Sequence, residues 1–186
     1  MKPEKIRSKD QFKESDEHKT SPAVAIANPA SDHLLTLAAQ QPFFKGMSEH
    51  LIQLLADSIM EMRFRPGHWL FQQGEPANRF YLILEGKVMI ESEVKELGMV
   101  PIRTLGPGDD LAWAWLFPPY RMHFSARAIE PTRAIFFYGT RLREKCEANH
   151  ELGYQLMKRV AEVVVRNLNA TQQRLMEFTH ASDLKP

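Results

Sequence analysis

The chain has 186 residues, enough for one domain with a sizeable core and additional helices. Its 24 lysines and arginines nearly balance its 23 aspartates and glutamates, and a formal charge of +1 does not favour a dedicated nucleic-acid-binding protein. The single cysteine, Cys146, excludes an internal disulfide and favours a reducing, cytoplasmic location. The sequence has no apolar run of membrane-spanning length and no signal-peptide pattern, so we expect no membrane association.

The first 31 residues contain mixed charges, Ser-Pro and Asn-Pro breaks and few large apolar side chains. A segment of this composition cannot build a hydrophobic core. Residues 1–31 are therefore predicted to form a disordered N-terminal tail. Two roles remain open for it, a passive extension and a docking segment for an unknown protein partner.

Residues 32–58 are predicted to form N-terminal helices. Ser31-Asp32 can cap the first helix, and Pro42 ends it because proline cannot continue a helix. Ser48 can cap the second helix. That helix carries apolar residues at helical spacing: Leu51, Leu54, Leu55 and Ile59.

Between residues 59 and 139, short apolar runs alternate with turn residues. The predicted turns contain Pro66-Gly67, Gln73-Gly-Glu-Pro76, Glu85-Gly-Lys87 and Gly106-Pro-Gly108. Apolar residues alternate in Val88–Ile90, whereas Phe80–Leu84 is apolar throughout. Both patterns suit strands of a closed antiparallel sheet. The predicted fold class is mainly β with flanking helices, an antiparallel β-roll or jelly roll.

Helical periodicity returns over residues 140–179, with a break near Asn149-His150, and a tail follows at residues 180–186. The pattern predicts a capping helix and then a long helix. One stripe on the long helix has the alternating steps of four and three that are typical of a coiled-coil seam: Met157, Ala161, Val164, Leu168, Thr171, Leu175 and Phe178. A second stripe can pack on the domain: Leu156, Val160 and Val163. Two stripes need two surfaces, which favours a homodimer through parallel long helices over a helix that lies only on its own roll.

Several motifs follow one another in this order: Phe43-Phe44 before a Leu-rich helix, Phe64-Arg-Pro-Gly67, Leu70-Phe-Gln-Gln-Gly-Glu75, Phe80-Tyr-Leu-Ile-Leu-Glu-Gly-Lys-Val88 and Leu105-Gly-Pro-Gly-Asp109. Together they resemble the cyclic-nucleotide-binding domain, the sensor domain of catabolite-activator-like proteins, over about residues 42–178. The resemblance implies a β-roll fold, a cyclic nucleotide as the ligand and a regulatory function without catalysis.

In that family, a phosphate-binding cassette reads Gly-Glu-(Leu/Ile)-Ala-Leu and, several residues later, Arg-Ala-Ala/Thr. Backbone N–H groups and the arginine hold the cyclic phosphate, and the glutamate accepts a hydrogen bond from the ribose 2′-hydroxyl. The alignment places Ala112 at the glycine, Trp113 at the glutamate and Met122 at the arginine, with Arg121 one residue away. The resemblance thus implies a stand-alone bacterial variant with a diverged cassette.

Other candidate ligand contacts follow from nucleotide chemistry. Trp113 or Trp115 can stack a base. Thr171, with Gln172 beside it, matches the position of a family contact from the long helix to the base, or else bonds to its own helix backbone. Three arginines are candidate anion partners: Arg103, Arg121 and Arg127. The full candidate ligand-binding set is Ala112, Trp113, Ala114, Trp115, Arg121, Met122, His123, Arg127, Thr171 and Gln172.

The sequence favours neither a metal site nor catalysis. The seven histidines are scattered without a His-x-His pattern, and His123 is interpreted as a hydrogen-bonded core residue in preference to a haem ligand. Asp109-Asp110 is predicted to be a turn that ends a strand, because no companion base accompanies it. Glu162 and Glu177 balance part of the arginine charge on the long helix, and no helix-turn-helix follows, so direct DNA binding is not expected.

Two functions remain open at this point. The first is a dimeric regulatory or sensor module that binds a cyclic nucleotide in an atypical mode. The second is a ligand-free dimeric protein-interaction module whose pocket is plugged by Trp113, Trp115 and Phe117.

Overall fold

The computed structural model describes residues 24–25 and 31–183. Within them, nine strands form two antiparallel sheets, with two α-helices before the main strands and two after them. The strands are β1 (Val24–Ala25), β2 (Ile59–Phe64), β3 (Trp69–Phe71), β4 (Arg79–Glu85), β5 (Val88–Val94), β6 (Gly98–Leu105), β7 (Asp110–Leu111), β8 (Ser125–Ala128) and β9 (Thr132–Tyr138). The α-helices are α1 (Ser31–Ala39), α2 (Glu49–Gln53), α3 (Gly139–Ala148) and α4 (His150–Asp183). The predicted fold class is confirmed.

The strand order is β1-β2-β9-β4-β7 in the first sheet and β3-β8-β5-β6 in the second. In β4, alternate side chains belong to two different cores. Phe80 and Leu82 pack in the cluster that contains the helices, whereas Tyr81 and Ile83 pack in the cluster inside the roll. Because both faces of β4 are covered, its central residues Phe80–Leu84 are all apolar and do not alternate with polar ones.

The turns predicted from glycine and proline lie between the strands of the roll. Gly67, Gly74, Gly86 and Gly108 all have positive φ angles. At Gly86, between β4 and β5, φ is 84°, and an added Cβ would clash with the carbonyl oxygen of Pro131. Only glycine fits there, because the backbone needs the left-handed region and the neighbouring chain leaves no room for a side chain.

The N-terminal helices are shorter than the apolar periodicity suggests. α2 ends at Gln53, and Ile59 opens β2, where it pairs with Phe137 of β9. The apolar spacing of the second predicted helix thus runs past the end of α2, and Ile59, with which the predicted roll begins, is the first residue of β2. The apolar spacing continues across this boundary because helix and strand contribute to the same hydrophobic cluster.

Most of the predicted N-terminal tail lies outside the described residues. Its described part consists of Ser31, which opens α1, and Val24–Ala25, whose backbone pairs with Met62 and Arg63 of β2. At the other end, α4 continues through Asp183, beyond the predicted boundary at residue 179.

The long helix α4 has one buried stripe, formed by Leu152, Leu156, Val160 and Val163. These residues join the cluster that also contains Phe80 and Phe137 of the first sheet. The predicted break before α4 is confirmed, because Asn149 lies outside both helices and its side chain accepts a hydrogen bond from the Leu152 backbone N–H at 2.9 Å. None of the described helices is long and apolar enough to cross a bilayer.

Candidate functional site

A cavity of about 390 Å³ lies between the roll and the long helix α4. The roll contributes residues of β3, β5, β6 and β7 and of the segment 112–124, and α4 contributes residues between 164 and 171. Most of the lining side chains are apolar. The polar ones are Arg103, Asp110, His123, Asn167 and Thr171. A volume of this size is within the range of small-molecule sites.

Six residues of the predicted ligand-binding set line this cavity: Ala112, Trp113, Ala114, Met122, His123 and Thr171. Ala112 has a φ of 69° and precedes a short 3-10 helix, Trp113–Leu116, which turns the half-buried Trp113 towards the cavity. The Trp113 ring lies 6.2 Å from the His123 ring, measured between centroids. Tertiary structure thus brings the middle of the chain together with Thr171 on α4.

The remaining four members of that set do not line the cavity. Arg121 donates a hydrogen bond to the Gly74 carbonyl at 2.8 Å. Arg127 forms two hydrogen bonds with Glu91, the shorter at 2.6 Å, and its guanidinium stacks over a tryptophan ring on the outer face of the second sheet. Gln172 is exposed on α4, and Trp115 is fully buried in the core.

The interpretation that three aromatic side chains plug the pocket is wrong. Trp115 packs on the side of the first sheet, 6.4 Å from the Phe80 ring and within the cluster that contains the helices. Phe117 is 40% exposed and does not line the cavity. Only Trp113 of the three faces the cavity, because successive residues of the short helix point to different sides.

Two charged side chains stand out in the wall of this apolar cavity. Arg103, in β6, donates a hydrogen bond from Nη1 to Oδ1 of Asn167 on α4 at 2.7 Å. Asp110, the first residue of β7, is 7% exposed, and its Oδ1 lies 3.4 Å from Nη2 of Arg166, also on α4. Both pairs join the roll to the same turn of the long helix. Arg103 is the one arginine or lysine among the described residues that line the cavity.

Asp110 is a cavity residue that the sequence did not reveal. Asp109 forms the predicted turn, with its carboxylate accepting a hydrogen bond from the Gly106 backbone N–H at 2.8 Å, but Asp110 belongs to a strand and pairs with Leu82 of β4. Burial raises the pKa of Asp110 from 3.8 to about 6, although the positive charges of Arg166 and Arg103 lower it. In the sequence, two consecutive aspartates after Gly-Pro-Gly indicate a turn that contains both. Only the strand pairing shows that Asp109 lies in the turn and Asp110 in a strand.

The predicted dimerisation residues run along α4. Met157, Ala161, Val164, Leu168, Thr171 and Leu175 are all exposed, and the side chain of Phe178 lies outside the described residues. Tyr154, three residues before Met157 and 65% exposed, extends the same stripe and was not part of the prediction. Val164, Leu168 and Thr171 also line the cavity. The stripe and the cavity therefore share residues.

Neither a metal site nor a reactive thiol is evident within the described residues. Among these residues, no group of three or more His, Cys, Asp or Glu side chains is placed to hold a metal ion. Burial raises the pKa of the Cys146 thiol to about 11, so this cysteine is not present as a nucleophilic thiolate near neutral pH.

Comparison with known proteins relates part of this chain to one family of domains. The model of the cyclic nucleotide-binding domain matches residues 61–149. The CRP-like cAMP-activated global transcriptional regulator of Mycobacterium tuberculosis is 28% identical over 142 residues, which are 76% of this chain and 62% of that protein. The chain thus matches less than two thirds of the length of this relative.

Solved structures give the same relationship. A protein of Geobacter metallireducens named for cyclic nucleotide binding is 29% identical, with a TM-score of 0.64, over 75% of this chain and 98% of that one. A cyclic nucleotide-binding domain from Methylobacillus flagellatus, at 17% identity, has the same fold, with a TM-score of 0.68 over 84% of this chain and 88% of that one. Residues 61–149 are therefore similar to the cyclic nucleotide-binding domain, and the chain is similar in sequence to a CRP-like regulator over 76% of its length.

Proposed function

We propose that this chain is a non-catalytic sensor whose cavity binds a cyclic nucleotide through a diverged cassette, and whose long helices pair in a homodimer that responds to occupancy. The supporting observation is the 390 Å³ cavity that Trp113, Arg103 and Thr171 line together. Trp113 supplies an aromatic face for a base, and Arg103 supplies a guanidinium for a phosphate. The Thr171 hydroxyl donates a hydrogen bond to the Asn167 carbonyl of its own helix at 2.9 Å, and its oxygen can accept a hydrogen bond from a ligand. The chemistry matches the base and the phosphate of a nucleotide.

The cassette is diverged because the two family positions with charged side chains are apolar in this chain. Trp113 and Met122, which align with the family's glutamate and arginine, both line the cavity. A phosphate buried in an apolar cavity needs a compensating positive charge. Arg121 bonds to the Gly74 carbonyl outside the cavity, so we assign the anion contact to Arg103.

Arg103→Gln is expected to weaken cyclic nucleotide binding by about tenfold to a hundredfold, because a hydrogen bond to a charged group contributes about 1.5–3 kcal/mol. Isothermal titration calorimetry with cyclic AMP, cyclic GMP and cyclic dinucleotides measures this change. Glutamine removes the positive charge and keeps an amide N–H donor on a shorter side chain.

Arg121→Gln is the matched control. It removes the same charge from a residue that precedes the cavity residue Met122 but does not itself line the cavity. We expect it to leave affinity unchanged. An equal loss in both variants would contradict the assignment of Arg103, and no heat change with any of these nucleotides would contradict nucleotide binding itself.

Dimerisation is supported by the exposed apolar stripe on α4. Met157, Leu168 and Leu175 are 47%, 54% and 67% exposed, which is unfavourable for a helix that remains unpaired in water. Since Leu168 also lines the cavity, the arrangement of two paired helices and the shape of the ligand site depend on each other. A ligand that prefers one helix arrangement would shift the dimer towards it.

Met157→Glu is expected to raise the dimer dissociation constant by about tenfold to a hundredfold, because it places two like charges in an apolar seam. Met157 does not line the cavity, so this variant tests pairing separately from ligand binding. Sedimentation velocity over a concentration series measures the change. Lys158→Glu, on an adjacent face of α4, is the control, and equal dissociation of both variants would argue against this stripe as the interface.

A further inference from the structure

Asp110 is an unusual residue for the wall of an anion-binding cavity. Its side chain is 94% buried, and its Oδ2 atom has no hydrogen-bond partner among the described residues. A buried carboxylate oxygen without a donor is costly when the group is ionised. The arrangement therefore needs a reason beyond packing.

Charged groups from three directions act on this carboxyl. Arg166 of α4 approaches Oδ1 at 3.4 Å, and Arg103 of β6 shares the cavity wall. Asp109, the preceding residue in the turn, opposes them with a like charge. On β4, the residue paired with Asp110 is Leu82, which offers no charge. With Asp110 ionised, its charge offsets one of the two arginines; with Asp110 protonated, both positive charges act on the cavity.

We propose that Asp110 is a proton-linked specificity residue, which disfavours anionic ligands in the cavity while it is ionised and admits them when it takes up one proton from solvent. This inference rests on the proposed nucleotide site. A phosphodiester at Arg103 would lie in the same low-dielectric cavity as the Asp110 carboxylate, where like charges repel strongly. The burial that already raises the pKa of Asp110 to about 6 brings this proton uptake close to physiological pH.

The test compares two probes that differ in charge, cyclic AMP and uncharged adenosine, by titration calorimetry at pH 5.5 and 7.5. The phosphodiester keeps one negative charge over this range. For the wild-type chain, we expect cyclic AMP to bind about tenfold more tightly at pH 5.5, as expected when an anion raises the pKa of a neighbouring carboxyl by one to two units. Adenosine affinity should change little.

Asp110→Asn should bind cyclic AMP with equal affinity at both pH values and more tightly than the wild type at pH 7.5. His123→Gln is the matched control, because it replaces another polar side chain of the cavity wall and leaves Asp110 in place. It should keep the pH dependence of the wild type. If Asp110→Asn does not fold, titrations of the wild type with cyclic AMP in buffers of different ionisation enthalpy count the protons taken up on binding. We expect a net proton uptake near neutral pH. Binding without proton uptake would contradict the proposal.

The outcomes separate this inference from the proposed function. Cyclic AMP binding that is independent of pH, or a pH dependence that survives in Asp110→Asn, would overturn the role of Asp110 and leave the nucleotide site intact. Absence of binding for both probes, in the wild type and in Asp110→Asn at both pH values, would overturn both. Binding at pH 7.5 by Asp110→Asn alone would support the exclusion of anions by the ionised carboxylate.

Discussion

Trp115→Ala is expected to lower the free energy of unfolding by about 3–5 kcal/mol, the range for deletion of a large buried aromatic side chain. Trp115 is fully buried, with Phe80 beside its ring and the backbone of Gly139 close to its Cβ. Its backbone carbonyl also accepts a hydrogen bond from Arg143 at 2.6 Å. Urea denaturation followed by circular dichroism measures the loss.

Two variants sharpen this prediction. Trp115→Phe retains most of the apolar volume and removes an indole N–H that has no hydrogen-bond partner among the described residues, so it should cost much less than the alanine variant. Trp113→Ala, at the half-buried tryptophan of the cavity wall, should cost less stability than Trp115→Ala but weaken nucleotide binding. Similar stability losses for Trp115→Ala and Trp113→Ala would contradict the placement of Trp115 in the core and of Trp113 in the cavity wall.

Asp110→Asn is expected to remove a pH-dependent loss of stability of roughly 3 kcal/mol, which corresponds to a pKa raised from 3.8 to about 6. A carboxyl whose pKa is raised by folding is most compatible with the folded state when protonated. The contribution of Asp110 to the free energy of unfolding is therefore fully present below about pH 4, and it is lost as the pH rises through about 6. Free energies of unfolding at pH 4 and 7.5, compared between wild type and variant, isolate this difference from any constant effect of the amide.

Arg166→Gln provides a test in the opposite direction. The positive charge of Arg166 lowers the pKa of Asp110, so its removal should raise that pKa further and extend the loss of stability to higher pH. Arg166 is 66% exposed, and its contribution is accordingly screened by salt. A pH profile that is the same in wild type and Asp110→Asn would show that Asp110 does not titrate in this range.

The fold could be predicted from local sequence signals. Glycine turns, an apolar run for the doubly covered β4 and two apolar stripes on α4 each reflect constraints within a few residues. The helical spacing of apolar residues runs on to Ile59, because one core receives side chains from a helix and from the strand that follows it. Apolar spacing alone does not distinguish the end of a helix from the start of a strand there.

The candidate site could be predicted only in part. The cassette alignment located Trp113 and Met122, and the match on the long helix located Thr171. All three line the cavity. The alignment did not distinguish Trp113 from Trp115. Both lie in a short 3-10 helix, and the direction in which each side chain points depends on the backbone geometry of that helix, which the residue types do not specify. Likewise, Arg121 and Arg127 are as suitable by chemistry as Arg103 but bond to groups outside the cavity.

The sequence by itself determined the β-roll, its flanking helices and the long helix, because their signals lie in turn residues and periodic burial. Tertiary structure alone decided which charges face the cavity. Asp110 and Arg103 meet Arg166 and Asn167 across more than 50 positions of the chain. Their proximity depends on how α4 packs across the roll, and no local pattern encodes that packing. The same packing leaves Asp110 buried and Trp115 in the core, while Trp113 lines the ligand cavity.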